Sequence, residues 1–372
     1  MKIATSYREI NDPVHGWNNI PKEIYSIIDT PLFQRLGYVG QLTLSNKVFP
    51  GANNTRKEHC LGVMNLATMY SKHLKFDNYT SKCMSIGGLL HDIAHGPYSH
   101  AWDRSVYSHI YPEIQKGHDE HRKVILEQKY NNILKNIDVD VADVLDCLEE
   151  SKLHRAILQG PLGCDRIDFT SRDTLYTNTR HYGYYDIHRI IENSMVIDTD
   201  DGEKLCYNEK VFPDIIQALE TRNKMYENIY YHKTSVALQI LLEEAIEECS
   251  QKLRFVERTN NLDEFQYLTD SILMEMIPIS ESAKKVYERK FPKLQETQVI
   301  ITNEGINSGT VFENGIYTWT SLPLTNNFEP EFTKHDIYIH TKKQGPMTFK
   351  EYWRNQKESL NITTWRLCRS YF

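Results

Sequence analysis

Apolar residues at helical spacing run through most of the chain before residue 295 and predict a mainly α-helical protein. The pattern covers most of residues 17–145, continues through residues 118–160 and returns as a long helix at residues 213–253. The apolar run Met84–Leu90 is typical of a buried helix, which we expect to end at Gly96-Pro97. A helical core should therefore make up the bulk of the protein.

Strand patterns occur in two places. Ser194–Ile197 and Leu205–Asn208 flank turn-forming residues, so they should pair as a small hairpin. After residue 295 the chain changes character, because β-branched and aromatic residues dominate several short runs. These runs are residues 298–302, 315–319 and 336–340, with a closing helix at residues 349–357.

These patterns predict two regions. Residues 1–295 should form the helical domain, and residues 296–372 a small α+β region packed on it. The motifs of this second region do not indicate a chemistry, and a structural cap or an oligomer contact is the simplest interpretation.

Composition excludes some function classes. The 372 residues carry a net charge of −7 at pH 7, which argues against a surface for general nucleic-acid binding but allows a local basic pocket. No apolar run approaches the ~20 residues that cross a bilayer, so no membrane partner is expected. The seven cysteines are scattered singly, which fits a reducing cytoplasmic or nuclear compartment.

Histidines and aspartates gather around the end of the apolar run. His91-Asp92 follows it directly, His59 precedes another apolar stripe, and Asp165 opens a later charged segment. An aspartate at the end of a buried helix is costly unless something binds it, and imidazole and carboxylate are common ligands of divalent cations. Two of each suit Mn, Fe, Zn or Ni without selecting one. Because His95 follows His91 by four residues, we expect both rings on one helical face.

Nearby residues could move protons. His95 and His118 are candidate general acids, since histidine holds a proton near neutral pH without a large perturbation. His121 is expected to be a solvated helix residue. Three carboxylates are candidates to orient one of the imidazoles: Asp103, Asp119 and Glu120.

With these residues the chain resembles the HD-domain metal-dependent phosphohydrolase superfamily, whose ligands are a first histidine, an adjacent His-Asp pair and a later aspartate. More narrowly, it is similar to the catalytic domain of the SAM-and-HD-domain deoxynucleoside triphosphate triphosphohydrolases. The resemblance implies an HD-domain helical core, a metal held by His59, His91, Asp92 and Asp165, and Mg²⁺ arriving with the substrate phosphates. It covers roughly residues 8–240 and extends to further segments: Asn11–Gly16, Ile28–Leu36, Gln41-Leu42, Phe49–Ala52, Arg56–His59, Thr221–Asn223 and Tyr230–Lys233.

The resemblance also implies which side chains contact phosphates. Arg56, Arg166 and Arg222 match positions that clamp phosphate oxygens, a task suited to the bidentate guanidinium group. His100 resembles the residue at the phosphate next to the sugar. Arg166 replaces a lysine, which keeps the charge and changes its geometry.

Sugar and base contacts follow from the same likeness. Gln41 and Asp173 resemble the pair that reads the 3′-hydroxyl, and Leu42 resembles the residue beneath the base. Tyr230 resembles the side chain that packs on the sugar face and disfavours a 2′-hydroxyl. Phe169 departs from the tyrosine of the animal members, which removes a hydroxyl near the sugar.

Three functions stay open at this point. The resemblance implies a deoxynucleoside triphosphate triphosphohydrolase, which converts dNTP and water to deoxynucleoside and triphosphate. Phe169 keeps a second possibility, an HD phosphohydrolase acting on monophosphates, ribonucleotides, cyclic nucleotides or oligonucleotides. The third is a non-catalytic protein that binds nucleotide or nucleic acid.

Regulation is expected to differ from that of the animal enzymes, which form tetramers when a guanine nucleotide and a deoxynucleotide bind. Asp29 and Gln34 match part of the guanine site, but Gly37 and Asn208 stand where arginines are expected. No sterile-alpha-motif segment is expected before the catalytic region. We therefore predict a homo-oligomer, a dimer or a tetramer, that is constitutive or differently triggered.

Overall fold

Helices dominate the structure, a computed structural model that describes residues 7–114, 117–301, 309–313, 315–321, 324–325, 329–356 and 364–371. The prediction of a mainly α-helical protein with a C-terminal α+β part is confirmed. The helices are α1 Tyr25–Ile28, α2 Pro31–Arg35, α3 Arg56–Leu74, α4 Asn78–Leu90, α5 His100–Trp102, α6 Ser108–Ile110, α7 Gly117–Ile125, α8 Asn131–Lys135, α9 Val141–Glu149, α10 Lys152–Gln159, α11 Cys164–Tyr176, α12 Ile187–Glu192, α13 Phe212–Met225, α14 Lys233–Ser250, α15 Phe255–Asn260, α16 Leu262–Phe265, α17 Ile272–Met276, α18 Glu281–Tyr287, α19 Glu329–Lys334 and α20 Phe349–Gln356.

Local sequence signals explain where the central helices begin. Thr55 and Glu58 form a capping box at the start of α3, in which the Thr55 N–H donates to Glu58 Oε2 at 3.0 Å. Asp77 caps α4, accepting from the backbone N–H groups of its first turn. Helices α3 and α11 come very close at Gly62, where an added Cβ would lie 1.9 Å from Asp168 Oδ1. Only glycine permits this approach.

The chain enters the helical core through a hairpin rather than a helix. Strands β1 (Tyr7–Asp12) and β2 (Gly16–Pro21) pair antiparallel, so the expected helical character does not begin at residue 17. Gly16 has φ +73°, a backbone conformation that favours glycine, and it starts β2 directly after the turn.

The predicted hairpin near residue 200 is confirmed as β3 (Ser194–Thr199) and β4 (Gly202–Asn208). It belongs to a larger sheet, because β9 (Tyr338–Thr341) pairs parallel with β4, and β10 (Gly345–Thr348) pairs with β9. This sheet crosses the predicted boundary at residue 295, and the division into two domains stays a prediction.

A second sheet closes the chain. Its strands β5 (Leu294–Ile301), β6 (Gly309–Glu313), β7 (Ile316–Thr320) and β11 (Thr364–Tyr371) have the order β5-β11-β7-β6, and β8 (Leu324–Thr325) pairs with β11. The predicted strand runs coincide with β5, β7 and β9 and the predicted closing helix with α20, while Thr302 and Lys357 lie outside the described residues.

Two apolar clusters hold these parts together. The main cluster fills the space between the helices, and the second joins α14 to the terminal sheet. The second cluster consists of Val236, Ala237, Ile240, Trp319, Leu367 and Tyr371. None of the helices in the described part of the chain is long and apolar enough to cross a membrane.

Candidate metal centre and active site

Three helices bring the four predicted metal ligands together at one point. His59 lies in the first turn of α3, His91 caps the C-terminus of α4, Asp92 follows it, and Asp165 lies in the first turn of α11. We call these four residues the metal cluster.

The distances within the metal cluster suit a bound cation. His59 Nε2 lies 3.1 Å from His91 Nε2, 3.2 Å from Asp165 Oδ1 and 3.7 Å from Asp92 Oδ2. His91 Nε2 lies 3.4 Å from Asp92 Oδ1 and 3.7 Å from Asp165 Oδ1. Ligands bound about 2.1 Å from one cation, at angles of roughly 90–110°, lie about 3.0–3.5 Å apart. His59, His91 and Asp165 therefore fit a divalent metal in type and spacing, and Asp92 lies within 3.7 Å of both histidines.

The other ring nitrogens are held by the protein. His59 Nδ1 is 2.7 Å from Asp168 Oδ2, and His91 Nδ1 is 2.8 Å from the carbonyl oxygen of Gly88. Since each acceptor favours a proton on Nδ1, each Nε2 would present its lone pair to a cation bound at the centre. This arrangement is the one that a metal-ligating histidine needs.

The charges in the cluster attract a cation. Burial disfavours a charged His59, but hydrogen bonds to Asp165 and Asp168 raise its pKa to about 10. Burial likewise opposes ionisation of Asp92, yet the neighbouring His91 and Arg56 hold its pKa well below the usual range. Asp165 keeps 29% of its side chain exposed, so the centre opens towards solvent on that side.

Sequence reasoning missed the charged network behind His59. Asp168 also contacts His15 Nε2 at 2.6 Å, and it accepts from Arg172 Nε and Nη2 at 2.9 Å each. Arg172 Nη2 continues to Asp12 Oδ2 at 2.9 Å, so the first hairpin is tied to a metal ligand. The signal was the spacing of Asp165, Asp168 and Arg172, which places all three on one side of α11.

The expected shared face of His91 and His95 is wrong. Helix α4 ends at Leu90 and the next residues turn, with the His95 N–H donating to Asp92 O at 3.1 Å. His95 instead stacks on His118, with ring centroids 4.0 Å apart and 28° between the ring planes. We call His95 and His118 the histidine stack.

Asp103 is the carboxylate that orients the stack. Its Oδ1 and Oδ2 lie 2.7 and 2.8 Å from His118 Nδ1, and its Oδ1 also accepts from the His118 N–H at 3.2 Å. The alternatives were wrong. Asp119 lies 3.7 Å from His118 Nε2 and pairs with Arg122 at 2.7 Å, whereas Glu120 pairs with Lys123 at 3.0 Å.

The two rings of the stack have different partners. Burial and the nearby Arg56 lower the pKa of His95 well below its ordinary value, so His95 is neutral at pH 7. His118 Nδ1 lies 2.7 Å from Asp103 Oδ1, so a carboxylate fixes the orientation of this ring. Of the two candidate acids, His118 is the better placed.

His121 is also buried, contrary to expectation. Only 1% of it is exposed, and it packs edge-on against Phe265. Burial lowers its pKa to about 4.

The three predicted phosphate clamps lie in two places. Arg56 is buried, pairs with Asp92 and donates from Nε to Ser99 Oγ at 2.7 Å. Arg166 and Arg222 line one small pocket between α11 and α13, with Thr170 and Tyr185.

The sugar-side candidates form a tighter group. Tyr230 donates to Asp173 Oδ2 at 2.7 Å, and Asn54 Nδ2 donates to Asp173 Oδ1 at 2.8 Å. Burial raises the pKa of Asp173 to about 6. The Phe169 ring packs edge-on against Tyr230, at 6.3 Å between centroids.

Three other predicted contacts have distinct environments. Gln41 Oε1 is buried and finds no hydrogen-bond partner among the residues that the structure describes, so it is poised to accept one. Leu42 is buried beside it. His100 leaves 61% of its side chain exposed, with Nδ1 3.1 Å from Asp103 Oδ2.

The residues that matched a guanine site are engaged within the chain. Asp29 accepts two hydrogen bonds from Arg8, at 2.8 and 3.0 Å. Gln34 accepts from Lys57 Nζ at 2.6 Å and donates to Ile28 O at 2.8 Å. Asn208 caps the short helical turn that follows it.

Comparison with known proteins agrees with this geometry. Residues 56–149, which include three of the four clustered ligands, match the HD domain family. A deoxynucleoside triphosphate triphosphohydrolase SAMHD1 homolog of Dictyostelium discoideum is 28% identical over 80% of this chain and 58% of its own length. The human deoxynucleoside triphosphate triphosphohydrolase SAMHD1 is 25% identical over 78% of this chain and 55% of its own length.

A viral relative is similar at the same level. The putative HD domain-containing protein L394 of Acanthamoeba polyphaga mimivirus is 27% identical over 71% of this chain and 63% of its own length. The chain thus spans little more than half the length of the relatives it matches.

Proposed function

We propose that the protein is a metal-dependent enzyme that converts dNTP and water to deoxynucleoside and triphosphate. The chain matches the HD domain family and resembles the SAMHD1-type triphosphohydrolases. The observation that carries this proposal is the convergence of two Nε2 atoms and two carboxylates beside a histidine oriented by Asp103. Two relatives are named as deoxynucleoside triphosphate triphosphohydrolases, which supports a dNTP as the substrate.

The metal cluster would hold one transition metal, Mn, Fe, Zn or Ni, and Mg²⁺ would accompany the phosphates. When bound, such a metal supplies Lewis acidity towards a phosphate oxygen and lowers the pKa of a coordinated water. Asp168 and Gly88 keep the two ligand imidazoles in the tautomer that exposes Nε2.

The chain's own residues would then handle charge and protons. The bond between the α-phosphorus and the 5′-oxygen breaks as the water oxygen bonds to that phosphorus, and the proton that the water loses passes to solvent. His118 would give its Nε2 proton to the departing 5′-oxygen, while Asp103 stabilises the imidazolium through Nδ1. His95 packs on the His118 ring and excludes water from that face. Arg166 and Arg222 would neutralise phosphate charge, and His100 would contact the phosphate next to the sugar.

Sugar recognition would come from the group around Asp173. Gln41 has an unused acceptor and Asp173 a carboxylate, and both suit a 3′-hydroxyl. Tyr230 would pack on the sugar beside Phe169, and Leu42 beneath the base.

Product analysis tests the proposal. The purified protein is incubated with each of the four dNTPs and with GTP, in Mn²⁺ or Mg²⁺, and the products are separated by anion exchange. Intact triphosphate and deoxynucleoside are expected, and Asp165→Ala should abolish them. Asp200→Asn, an exposed residue of the β3–β4 turn, is the matched control.

A second candidate is an HD phosphohydrolase of broader substrate range, and Phe169 favours it. Stepwise phosphate release, or equal turnover of GTP and dGTP, would support this alternative. Activity that rises from near zero only when GTP is added would contradict the prediction that the enzyme is constitutive or differently triggered.

A further inference from the structure

A partly buried carboxylate outside the metal cluster bonds to both loops that frame the proposed substrate site. Asp270 lies between α16 and α17, distant in sequence from either loop. The first loop, residues 38–43, carries Gln41 and is called the sugar-side loop. The second, residues 96–100, ends at His100 and is called the phosphate-side loop.

Asp270 makes two hydrogen bonds to each loop. On the sugar side, Oδ2 accepts from the Gly40 N–H at 2.9 Å, and the Asp270 N–H donates to Tyr38 O at 3.2 Å. On the phosphate side, Oδ1 accepts from the Tyr98 N–H at 2.7 Å, and the carbonyl oxygen accepts from the Tyr98 hydroxyl at 2.8 Å. Within the described residues Asp270 has no salt-bridge partner. The role of its carboxylate is therefore to accept hydrogen bonds from the two loops.

The phosphate-side loop needs such support. Tyr98 and Ser99 both have φ +56°, and Ser99 combines it with ψ −113°, a conformation that residues other than glycine rarely adopt. Strained backbone of this kind persists only when the surroundings fix it. Ser99 Oγ donates to Gly40 O at 3.2 Å, which adds a direct bond between the loops.

The sugar-side loop is equally constrained. A Cβ added at Gly40 would lie 3.3 Å from Asp270 Oδ2, which is tighter than most such contacts. A side chain at position 40 would therefore press on the carboxylate.

We propose that Asp270 is a positioning residue that fixes the spacing of the sugar-side and phosphate-side loops, so that one nucleotide contacts both loops at once. This inference rests on the proposed function, because the loops matter for catalysis only if Gln41 and His100 contact the same substrate. A misplacement of about 1 Å between such contacts can cost roughly a hundredfold in rate.

Asp270→Asn is the sharpest variant. An amide offers one acceptor oxygen where two backbone N–H groups need one each, and its NH₂ group would face the second N–H. Gly40→Ala perturbs the same contact from the opposite side. Asp263→Asn, on an exposed neighbour with 78% of its side chain in solvent, is the matched control.

The test compares the whole substrate with its two halves. For each variant we would measure kcat/KM on dNTP, the inhibition constants of deoxynucleoside alone and of tripolyphosphate alone, and the metal content. Asp270→Asn and Gly40→Ala should lower kcat/KM about 10- to 100-fold while either half binds within about threefold of wild type and the metal is retained. Unchanged kcat/KM, or an equal loss for each half, would overturn the inference.

A second readout separates this inference from the proposed function. Amide hydrogen exchange at Gly40 and Tyr98 should become at least about tenfold faster in Asp270→Asn and stay unchanged in Asp263→Asn. If wild type turns over no dNTP, the proposed function fails, and unchanged exchange at both amides would also overturn the positioning role.

Discussion

The metal cluster and the histidine stack lie side by side and are built from the same residue types, yet their rings are arranged differently. In the metal cluster both Nδ1 atoms bond to the protein behind, and two Nε2 atoms meet at 3.1 Å. In the stack the rings lie nearly parallel, and Asp103 takes Nδ1 of His118. His95, His100, Asp103 and His118 also offer ligand atoms close enough together for one cation, so the metal content of stack variants decides between the two roles.

In these two groups the direction of the rings, rather than the residue type, separates the proposed roles. A cluster whose nitrogens converge suits a cation, and a stack with one oriented ring suits proton transfer. His91 of the metal cluster and His95 of the stack are only four residues apart, so sequence proximity alone would have merged the two groups.

Removing a metal ligand should give the largest effect. We expect Asp92→Ala or His59→Ala to lose the metal and at least about a thousandfold in kcat/KM, since Lewis-acid stabilisation is worth several kcal/mol. Metal analysis and dNTP hydrolysis measure the two losses. Removing the metal from the wild type with a chelator should reproduce both losses. Full activity without metal would contradict a catalytic role for the metal cluster.

Changing the stack should separate activity from metal content. His118→Ala should lower kcat by about 10²–10⁴-fold and keep the metal, because it removes a proton donor and no ligand. Asp103→Asn should show a smaller loss of the same kind. Loss of metal in His118→Ala would mean that the histidine stack and the metal cluster form a single metal centre.

The support behind His59 should matter less than the ligands. Asp168→Asn should weaken metal affinity by roughly 10- to 100-fold, because the carboxylate that orients the imidazole is replaced by a neutral amide. A chelator competition measures the affinity, and thermal unfolding of the metal-free variant checks the fold. Equal affinity in variant and wild type would contradict this role.

His121 gives the smallest effect, on acid stability alone. Its pKa is about 4 in the folded protein and 6.5 when exposed, so the unfolded chain binds the proton first. This proton binding does not lower the free energy of unfolding above pH 6.5. The loss grows as the pH falls towards 4 and reaches about 3 kcal/mol. His121→Phe should flatten this part of the profile in denaturant titrations and leave activity at pH 7 unchanged. A profile as steep as wild type would show that other groups govern acid unfolding.

Much of the helical core could be read from the sequence. Long apolar stripes and the capping residues of α3 and α4 are local signals, and they locate the helices that carry the metal cluster. The strand at Gly16–Pro21 was missed because its short alternation sits beside a motif whose strongest signal was the turn. The pairing of β9 with β4 joins residues about 130 apart, which no local pattern reveals.

The sequence alone indicated the candidate donor set: two histidines and two aspartates at the ends of apolar helices, where such groups need a ligand. It also indicated Asp103 as one of several carboxylates near His118. Only the tertiary structure shows which nitrogen of each ring faces the centre, that His95 stacks on His118, and that Asp270 joins two loops. The reason is physical, because ring direction and loop spacing depend on hydrogen bonds between segments far apart in the chain, whereas helix periodicity and caps act within a few residues.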